Sequence, residues 1–424
     1  MSKARKSSPS SFMRSSNLEI VCVSHNAPPM NDAEALCTAR LVSALVQAGT
    51  NVHLVAARLP ASLDPDIASE ILDPRVEVTY VRARDRALRR LWEMGRRQFH
   101  GSRVEWVAPA IAATRAALRK YERPILLTRA FPMVSNLVGY YCRADARAWV
   151  AHFSDPYPPH EWQNHWYSFL SRPINRRWAR RILRAADVVT VTCPNAIRYI
   201  EEKSGLRFRK KSEVVTHLAL PKLKRGNLKL ERLPGEFIIA HIGNLMTRRR
   251  PDLLLRGALI AMEQHPEIRF LQYGNVDPEI LALCSCSAAF KRLDIRHIDN
   301  LSPRDAADLQ EQVDVNVIVD TDLGLSYSPF ILSKYPHSVC AGRPMLMLSC
   351  EDSEMARLTK LYHGGVFVPF SVPEKVAEAI CELFMQRRAL QPSAKAADYQ
   401  AVFSPEKVAL PFLKSLERLI NSRV

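Results

Sequence analysis

The sequence predicts an α/β protein built of two doubly wound parallel sheets, one in each half of its 424 residues. Three observations predict it. Short apolar, β-branched runs recur along the chain, and each is followed by a stretch whose apolar residues have helical spacing. Runs such as Ile20-Val21-Cys22-Val23 and Val315-Asn316-Val317-Ile318-Val319 are largely apolar on both faces, as strands enclosed between two helix layers are. The alternation occurs in each half separately, and a chain of this length has room for two or three domains.

Taken in order, Met1–Ser16 carries Lys3, Arg5 and Lys6 among serines and lacks the apolar stretch of a signal peptide, so residues 1–16 are expected to be a disordered arm. Residues 17–205 form the first predicted domain, with strands at Glu19–Val23, Val52–Ala56, Val76–Val81, Pro124–Thr128, Ala148–Phe153 and Val188–Thr192. Its first helix, Ala35–Gly49, gathers Leu36, Ala39, Leu41, Val42 and Leu45 near one face and ends at a glycine. Residues 206–235 are polar and basic, with Pro221, Pro234 and Gly235, and read as a connector. Residues 236–403 form the second domain. Its strands are expected at Phe237–Ile242, Ile268–Gly274, Ile295–Ile298, Val315–Asp320, Pro344–Leu348 and Val366–Pro369, and helices at Leu253–Gln264 and Val376–Phe384. A last helix within 404–424 places Pro405 in its first turn. Ligands of such sheets sit beyond the carboxyl ends of the strands, which makes the gap between the domains the expected site.

Charge divides the chain unevenly. The total is +17, but residues 1–205 carry +12, residues 206–235 carry +7, and the remainder carries −2. All six tryptophans (Trp92, Trp106, Trp149, Trp162, Trp166 and Trp178) lie in the first half. Residues 82–123 hold 12 Lys or Arg against 4 acids, and residues 160–184 add Tyr167, Phe169, Arg172, Arg176, Arg177, Arg180, Arg181 and Arg184 to three of the tryptophans. This composition suits an anionic membrane face, with nucleic acid or plain solvated helix faces as the alternatives. The nine cysteines have no paired metal spacing, since Cys284 and Cys286 are only one residue apart, and they read as free thiols in a reducing cytoplasm. No metal site and no cofactor is expected. No uninterrupted apolar run reaches the length of a spanning helix.

Several chemistries lack their motifs. There is no Gly-x4-Gly-Lys-Ser/Thr phosphate loop, no His-Glu-x-x-His helix and no Gly-x-Ser-x-Gly turn. After the first strand, where a dinucleotide oxidoreductase carries a glycine-rich turn, the chain reads Ser24-His25-Asn26-Ala27-Pro28-Pro29-Met30-Asn31-Asp32.

Three stretches are suited to chemistry. In His241-Ile242-Gly243-Asn244-Leu245-Met246-Thr247-Arg248-Arg249-Arg250-Pro251, a strand ends, Gly243 lets the backbone turn closely, and three Arg precede a helix. Forked guanidinium donors and a helix start both favour a diphosphate, although a solvated basic turn has the same composition. The stretch Ser328 to Pro344 follows a buried strand and offers Ser333, Lys334 and His337, or else is simply a helix with a stop at Gly342. In Trp149-Val150-Ala151-His152-Phe153-Ser154-Asp155-Pro156-Tyr157, Asp155 stands just beyond a strand, where a carboxylate can orient an acceptor hydroxyl or open a turn.

These stretches, in this order, make the chain similar to GT-B glycosyltransferases of the family-four retaining type, especially bacterial enzymes of surface-polysaccharide synthesis. His25-Asn26-Ala27-Pro28-Pro29 and a helix with Arg40 resemble the family's opening loop, with Asn31-Asp32-Ala33 in place of its glycine pair. Ser154-Asp155-Pro156-Tyr157 resembles the Arg-Asp-Pro-Trp type of segment, with Ser154 where many relatives have His. Gly243-Asn244-Leu245, Arg249 and Arg250-Pro251 resemble the donor-phosphate loop, and Ser333-Lys334 with Ala341-Gly342-Arg343-Pro344 resemble the segment after it. Two further positions depart from the pattern: the family's Glu-x7-Glu pair falls on Pro329 and His337.

The resemblance implies transfer of a sugar, with retention and without a metal, from a nucleoside diphosphate sugar to an acceptor hydroxyl. It makes the first domain acceptor-binding and the second nucleotide-sugar-binding, and sends the last helix back to the first domain. It implies catalytic roles for Asp155, Arg249 and Lys334. Donor contacts fall on Gly243, Asn244, Arg248, Arg249, Gly274, Ser333, Lys334 and His337. Acceptor contacts fall on His25, Asn26, Pro28, Asp155 and Tyr157. The implied partners are a nucleotide sugar, a glycan or lipid-linked acceptor and the inner membrane face, with nucleic acid not expected. A GT-B protein without transferase activity that binds a nucleotide, glycan or protein is the alternative.

Overall fold

The structure, a computed structural model, describes residues 18–83, 103–160, 168–226, 228–286, 288–387 and 395–422. The predicted N-terminal arm, Trp92, Trp162 and Trp166 lie outside the described residues.

The first sheet has seven strands: β1 Glu19–Ser24, β2 Asn51–Ala57, β3 Glu77–Val81, β4 Ile125–Ala130, β5 Ala148–Phe153, β6 Val188–Val191 and β7 Ser212–Val214. They lie in the order β3-β2-β1-β4-β5-β6-β7. The second sheet has six: β8 Phe237–Ile242, β9 Ile268–Gly274, β10 Asp294–His297, β11 Val315–Val319, β12 Met345–Ser349 and β13 Gly365–Pro369, in the order β10-β9-β8-β11-β12-β13. Neighbouring strands in both sheets run parallel. The architecture is therefore α/β with two Rossmann-like lobes. One strand differs from the sequence reading: β7 lies within the segment read as a connector. It is a three-residue edge strand with only Val214 apolar, and an edge carries neither a two-faced apolar run nor a long pairing register.

Strand order reverses between β1 and β4 and again between β8 and β11. At the second reversal the registered pairs are only Val315 with Ile239 and Asn316 with Ala240, so the carboxyl ends of β8 and β11 part and leave a crevice. Local chemistry sets how the chain leaves these strands. Asp32 caps the helix Ala33–Gln47 by accepting from the Ala35 amide at 2.8 Å. Arg250, at φ +46°, turns the chain into the helix Pro251–Gln264 and is pinned by Asp252 and Asp322 at 3.1 and 3.3 Å.

Helices cover both faces of the sheets. Trp106 and Trp149 are fully buried, so these two belong to the core rather than to a membrane-facing surface, while Trp178 is half-buried. The last helix, Pro405–Asn421, buries Val408, Phe412, Leu413 and Leu416 with Leu41, Val42 and Leu45 of the first lobe. One apolar cluster runs through both lobes and includes Tyr335, Tyr399 and Phe403. Polar contacts join the lobes on either flank of the gap. Asn31 donates to Asn300 and to the Leu301 carbonyl at 2.8 and 3.0 Å, and Arg304 pairs with Glu70. On the other flank Asn195 donates to the Asp352 carboxylate at 2.9 Å, and Tyr327 donates to Glu202. Among the described residues no helix is long and apolar enough to cross a membrane.

Candidate functional site

The crevice of the second sheet is shaped by two glycines. Gly243 follows β8 at φ +111° and Gly274 ends β9 at φ +130°, a region open to glycine and strained for side chains. A Cβ on Gly274 would stand 2.8 Å from the Gly243 carbonyl oxygen, so the two backbones touch. The loop after Gly243 is braced by Leu245, whose amide donates to the Asn275 carbonyl, and by Thr247, whose amide donates to the Asp277 carboxylate at 2.8 Å.

Lys334 lies over this turn, with Nζ 3.9 Å from the position a Gly243 Cβ would occupy. Its place is set by a relay. Lys334 Nζ donates to His241 Nε2 at 2.5 Å, His241 Nδ1 donates to Gln272 Oε1 at 2.6 Å, and Gln272 Nε2 donates to the Gly243 carbonyl at 2.9 Å. The glutamine amide orientation and the imidazole tautomer follow from the network as a whole. Burial, then the charges of Lys334 and Arg249, hold the His241 pKa well below its ordinary value, consistent with the neutral ring the relay needs.

Arg249 is the second cation. It is half-buried, its Nη1 donates to the Asn244 carbonyl at 3.2 Å, and its Nε has no hydrogen-bond partner among the described residues. Burial lowers the Arg249 pKa against the raising influence of Asp320, Asp155 and Asp277. Burial, reinforced by Arg249, also drives the Lys334 ammonium well below its ordinary value. Two cations thus converge on one glycine turn, and both would gain from an anion placed between them. Asp320, directly after β11, is buried, accepts from Ser349 Oγ at 2.7 Å and faces Arg249 electrostatically.

The remaining candidate donor residues differ in placement. Asn244 and Arg248 are exposed on the same loop, and the Arg248 carbonyl accepts from the Asp322 amide. Ser333 sits in the turn just before Lys334. The His337 ring is drawn elsewhere: its Nδ1 accepts from the Leu220 amide at 3.2 Å, and its electrostatic neighbours are Arg40 and His217 of the first lobe and the inter-lobe segment.

In the first lobe Asp155 opens onto the gap just past β5. Its tip reaches solvent, yet protein walls surround it, and this raises its pKa against the lowering influence of His217 and then of Arg249. Arg249 and Asp155 therefore face one another across the lobes. Beside Asp155 lies a small pocket of about 20 Å³, lined by Phe131, Met133, Tyr157, His160 and Tyr199, with Phe330 from the second lobe. The opening loop builds the adjacent wall. His25 is buried edge-on to Trp106 and bonds Asn26 at 2.6 Å. Asn26 in turn donates to Asp32. Pro28 is buried and its carbonyl accepts from Tyr80 at 2.5 Å, while the Tyr157 hydroxyl donates to Asn175 at 2.6 Å, so these two hold the wall in shape.

Beneath that wall is a brace that no single stretch of sequence reveals. Arg129, at the end of β4, donates to Glu34 and to Ser154 at 3.1 Å each, and Ser154 donates to Glu34 at 2.8 Å. Burial pushes Glu34 up to about 7 despite Arg129. His217, from the segment between the lobes, sits among these groups. Its pKa is lowered to about 4 by burial, then by Arg129 and Arg40, against the raising influence of Glu34 and Asp155. Among the described residues no group of three or more His, Cys, Asp or Glu side chains is arranged to hold a metal ion.

No protein-family model and no curated protein matches the chain. Solved structures do. Sucrose-phosphate synthase from Thermosynechococcus elongatus superposes with a TM-score of 0.66 at 18% identity, covering 96% of this chain and 100% of its own. HepE of Anabaena, solved with UDP-glucose, gives 0.61 at 12% identity, covering 95% and 100%. WaaG, a glycosyltransferase involved in lipopolysaccharide biosynthesis, gives 0.59 at 12% identity, covering 92% and 97%. At these identities the likeness establishes the fold, which is GT-B, over nearly the whole chain; a shared fold does not by itself fix a reaction.

Acid should weaken the protein in a defined window. Burial keeps His217, His152, His241 and His337 neutral in the native state, while the unfolded chain takes up protons below the ordinary imidazole pKa. Stability is thus complete above about 6.5 and is lost as pH falls toward about 4, the His217 value. Differential scanning calorimetry should show Tm falling steadily through that window, and a flat Tm would contradict the assignment.

Proposed function

We propose that the chain is a glycosyltransferase that moves a sugar, with retention and without a metal, from a nucleoside diphosphate sugar to an acceptor hydroxyl. Its place would be in bacterial cell-surface polysaccharide, exopolysaccharide or glycolipid synthesis, at the cytoplasmic face of the inner membrane. The observation that carries this reading is the pair Arg249 and Lys334, converging on the Gly243 turn at the strand-order reversal of a GT-B second lobe. The solved neighbours support it: HepE is solved with UDP-glucose, and WaaG is a glycosyltransferase involved in lipopolysaccharide biosynthesis.

The residues act in simple steps. The Gly243 turn, bare of side chain, admits the diphosphate, with Asn244, Arg248 and Ser333 on the same rim. The relay through His241 and Gln272 aims Lys334 at it, and Arg249 lies on its other side. As the bond from sugar to phosphate breaks, negative charge grows on the departing diphosphate, and two fixed cations in a partly desolvated site stabilise that charge without reorganising. Asp155 orients the acceptor hydroxyl from the facing wall, with the remainder of the acceptor in the gap between the lobes. Changing Arg249 and Lys334 together to Ala should abolish both the calorimetric heat of UDP or GDP binding and sugar transfer while circular dichroism remains native. Undiminished transfer by that variant would refute the reading.

A second reading, a nucleotide-binding GT-B protein without transfer, is favoured by one observation. Where the resemblance places an acidic pair, this chain has Pro329 and His337, and the His337 ring is committed to Leu220. Binding of UDP with neither transfer nor slow UDP-sugar hydrolysis would select it.

The membrane role rests on a patch of the first lobe. Tyr140, Tyr141 and Trp178 form an edge-to-face cluster, with Arg143 4.2 Å over the Tyr140 ring and Arg181 5.0 Å over Trp178. The helix Ser168–Ala185 that carries Trp178 has six Arg and no acid. Aromatic rings with clustered guanidinium groups suit anionic headgroups. The protein should sediment with vesicles of anionic phospholipid and not with neutral ones, less so as salt rises, and Arg177→Glu with Arg181→Glu should release it. Equal sedimentation with neutral vesicles would contradict this.

A further inference from the structure

Five imidazoles stand near the first-lobe wall of the gap: His25, which bonds Asn26, His160, which lines the pocket beside Asp155, and His152, His337 and His217. His152 is sealed within β5 and shares Nδ1 with the Thr190 hydroxyl at 2.9 Å. His337 uses Nδ1 on the Leu220 amide. His217 is 8% exposed and its ring makes no hydrogen bond to a described residue, and, unlike His152 Nε2 and His337 Nε2, neither of its nitrogens is sealed from solvent. A mostly buried ring whose nitrogens still open on the gap can bond a group that enters from outside the protein.

The backbone around it is held at four points. The Val215 amide donates to the Val191 carbonyl at the end of β6, the Leu218 carbonyl accepts from Arg40 at 2.7 Å, the Ala219 amide donates to the Phe403 carbonyl, and the Leu220 amide donates to His337. Val215 continues β7, which pairs with β6 as β6 pairs with β5, so His217 lies beyond the carboxyl ends of these strands, the same end at which Asp155 follows β5. The charged and titratable groups around it are Glu34 and Arg40 from the first helix, Arg129 from β4, His152 of β5, Asp155 after β5 and His337 from the second lobe.

We propose that His217 is a positioning residue for the acceptor, its ring nitrogen bonding the incoming hydroxyl beside Asp155. The inference rests on the transfer reading above and adds to it a residue from the inter-lobe segment, outside every stretch that the sequence singles out. A neutral imidazole offers one donor and one acceptor, so the ring can face the Asp155 carboxylate with its N–H and the hydroxyl with its bare nitrogen. No covalent step is assigned to it. The missing partner of the ring arrives with the acceptor.

The test uses the full chain with UDP-glucose as donor and octyl glucoside as probe acceptor, a sugar whose hydroxyl groups can be glycosylated. His217→Ala should raise the KM for octyl glucoside at least tenfold, with UDP affinity unchanged within twofold by calorimetry. His217→Gln, which keeps an amide donor at similar reach, should recover part of the loss. In NMR titrations of the ring, Asp155→Asn should lower the His217 midpoint, because the neighbouring carboxylate is removed. If the wild type transfers and His217→Ala transfers with the same KM, or if Asp155→Asn leaves the midpoint in place, the inference falls and the enzymatic reading stands. If the wild type transfers nothing to any sugar and hydrolyses no donor, the reading itself falls and the inference with it.

Discussion

Two cations held against one glycine turn are the constraint on which the rest of the structure depends. Like charges do not converge in a partly buried crevice without cost, and Lys334 records it in a pKa driven far down by burial and by Arg249. The fold nevertheless keeps them there. Gly274 packs its backbone on Gly243, Gln272 and His241 relay a hydrogen bond to the lysine, and Arg250 is tied off by Asp252 and Asp322, which leaves Arg249 to face the gap. An arrangement of this kind is stabilised when an anion enters, and its position at the parting of β8 and β11 is where a doubly wound sheet opens for ligands.

The opposite wall is organised by the reverse logic. There the charges are neutralised within the protein: Glu34, Arg129 and Ser154 close on one another beneath the loop that presents Asp155. That brace ties the first turn of a helix to the ends of β4 and β5, so the carboxylate is carried on a rigid support. The two lobes thus contribute unlike halves, an open cationic seat and a closed, internally satisfied wall. Polar contacts on both flanks of the gap hold them facing each other.

Much of the fold was legible in the sequence because most strands lie between two helix layers. Phe237–Ile242, broken only by His241, and Ile268–Gly274, which carries Arg269 and Gln272, read as strands and form strands with those bounds. Strand β7 escaped because an edge of three residues has no such signature. The Gly243 loop and Lys334 were legible from local spacing. Asp320 had a weaker signal, a carboxylate closing a buried apolar strand. The role of His241 depends on Gln272, and the brace joins residues 34, 129 and 154 with 217 beside it; contacts at such separations leave no periodic trace. Trp149 was legible as part of the strand Ala148–Phe153, whereas Trp106 lies in the basic stretch 82–123, where composition left an interfacial and a core placement open and packing chose the core.

The most direct measurement is the titration of the Lys334 side chain by NMR of protein labelled at lysine Cε, with and without UDP. One lysine signal, absent in Lys334→Ala, should titrate far below the others in the free protein and move back up when UDP binds. A Lys334 signal that titrates with the surface lysines in both states would contradict the two-cation seat.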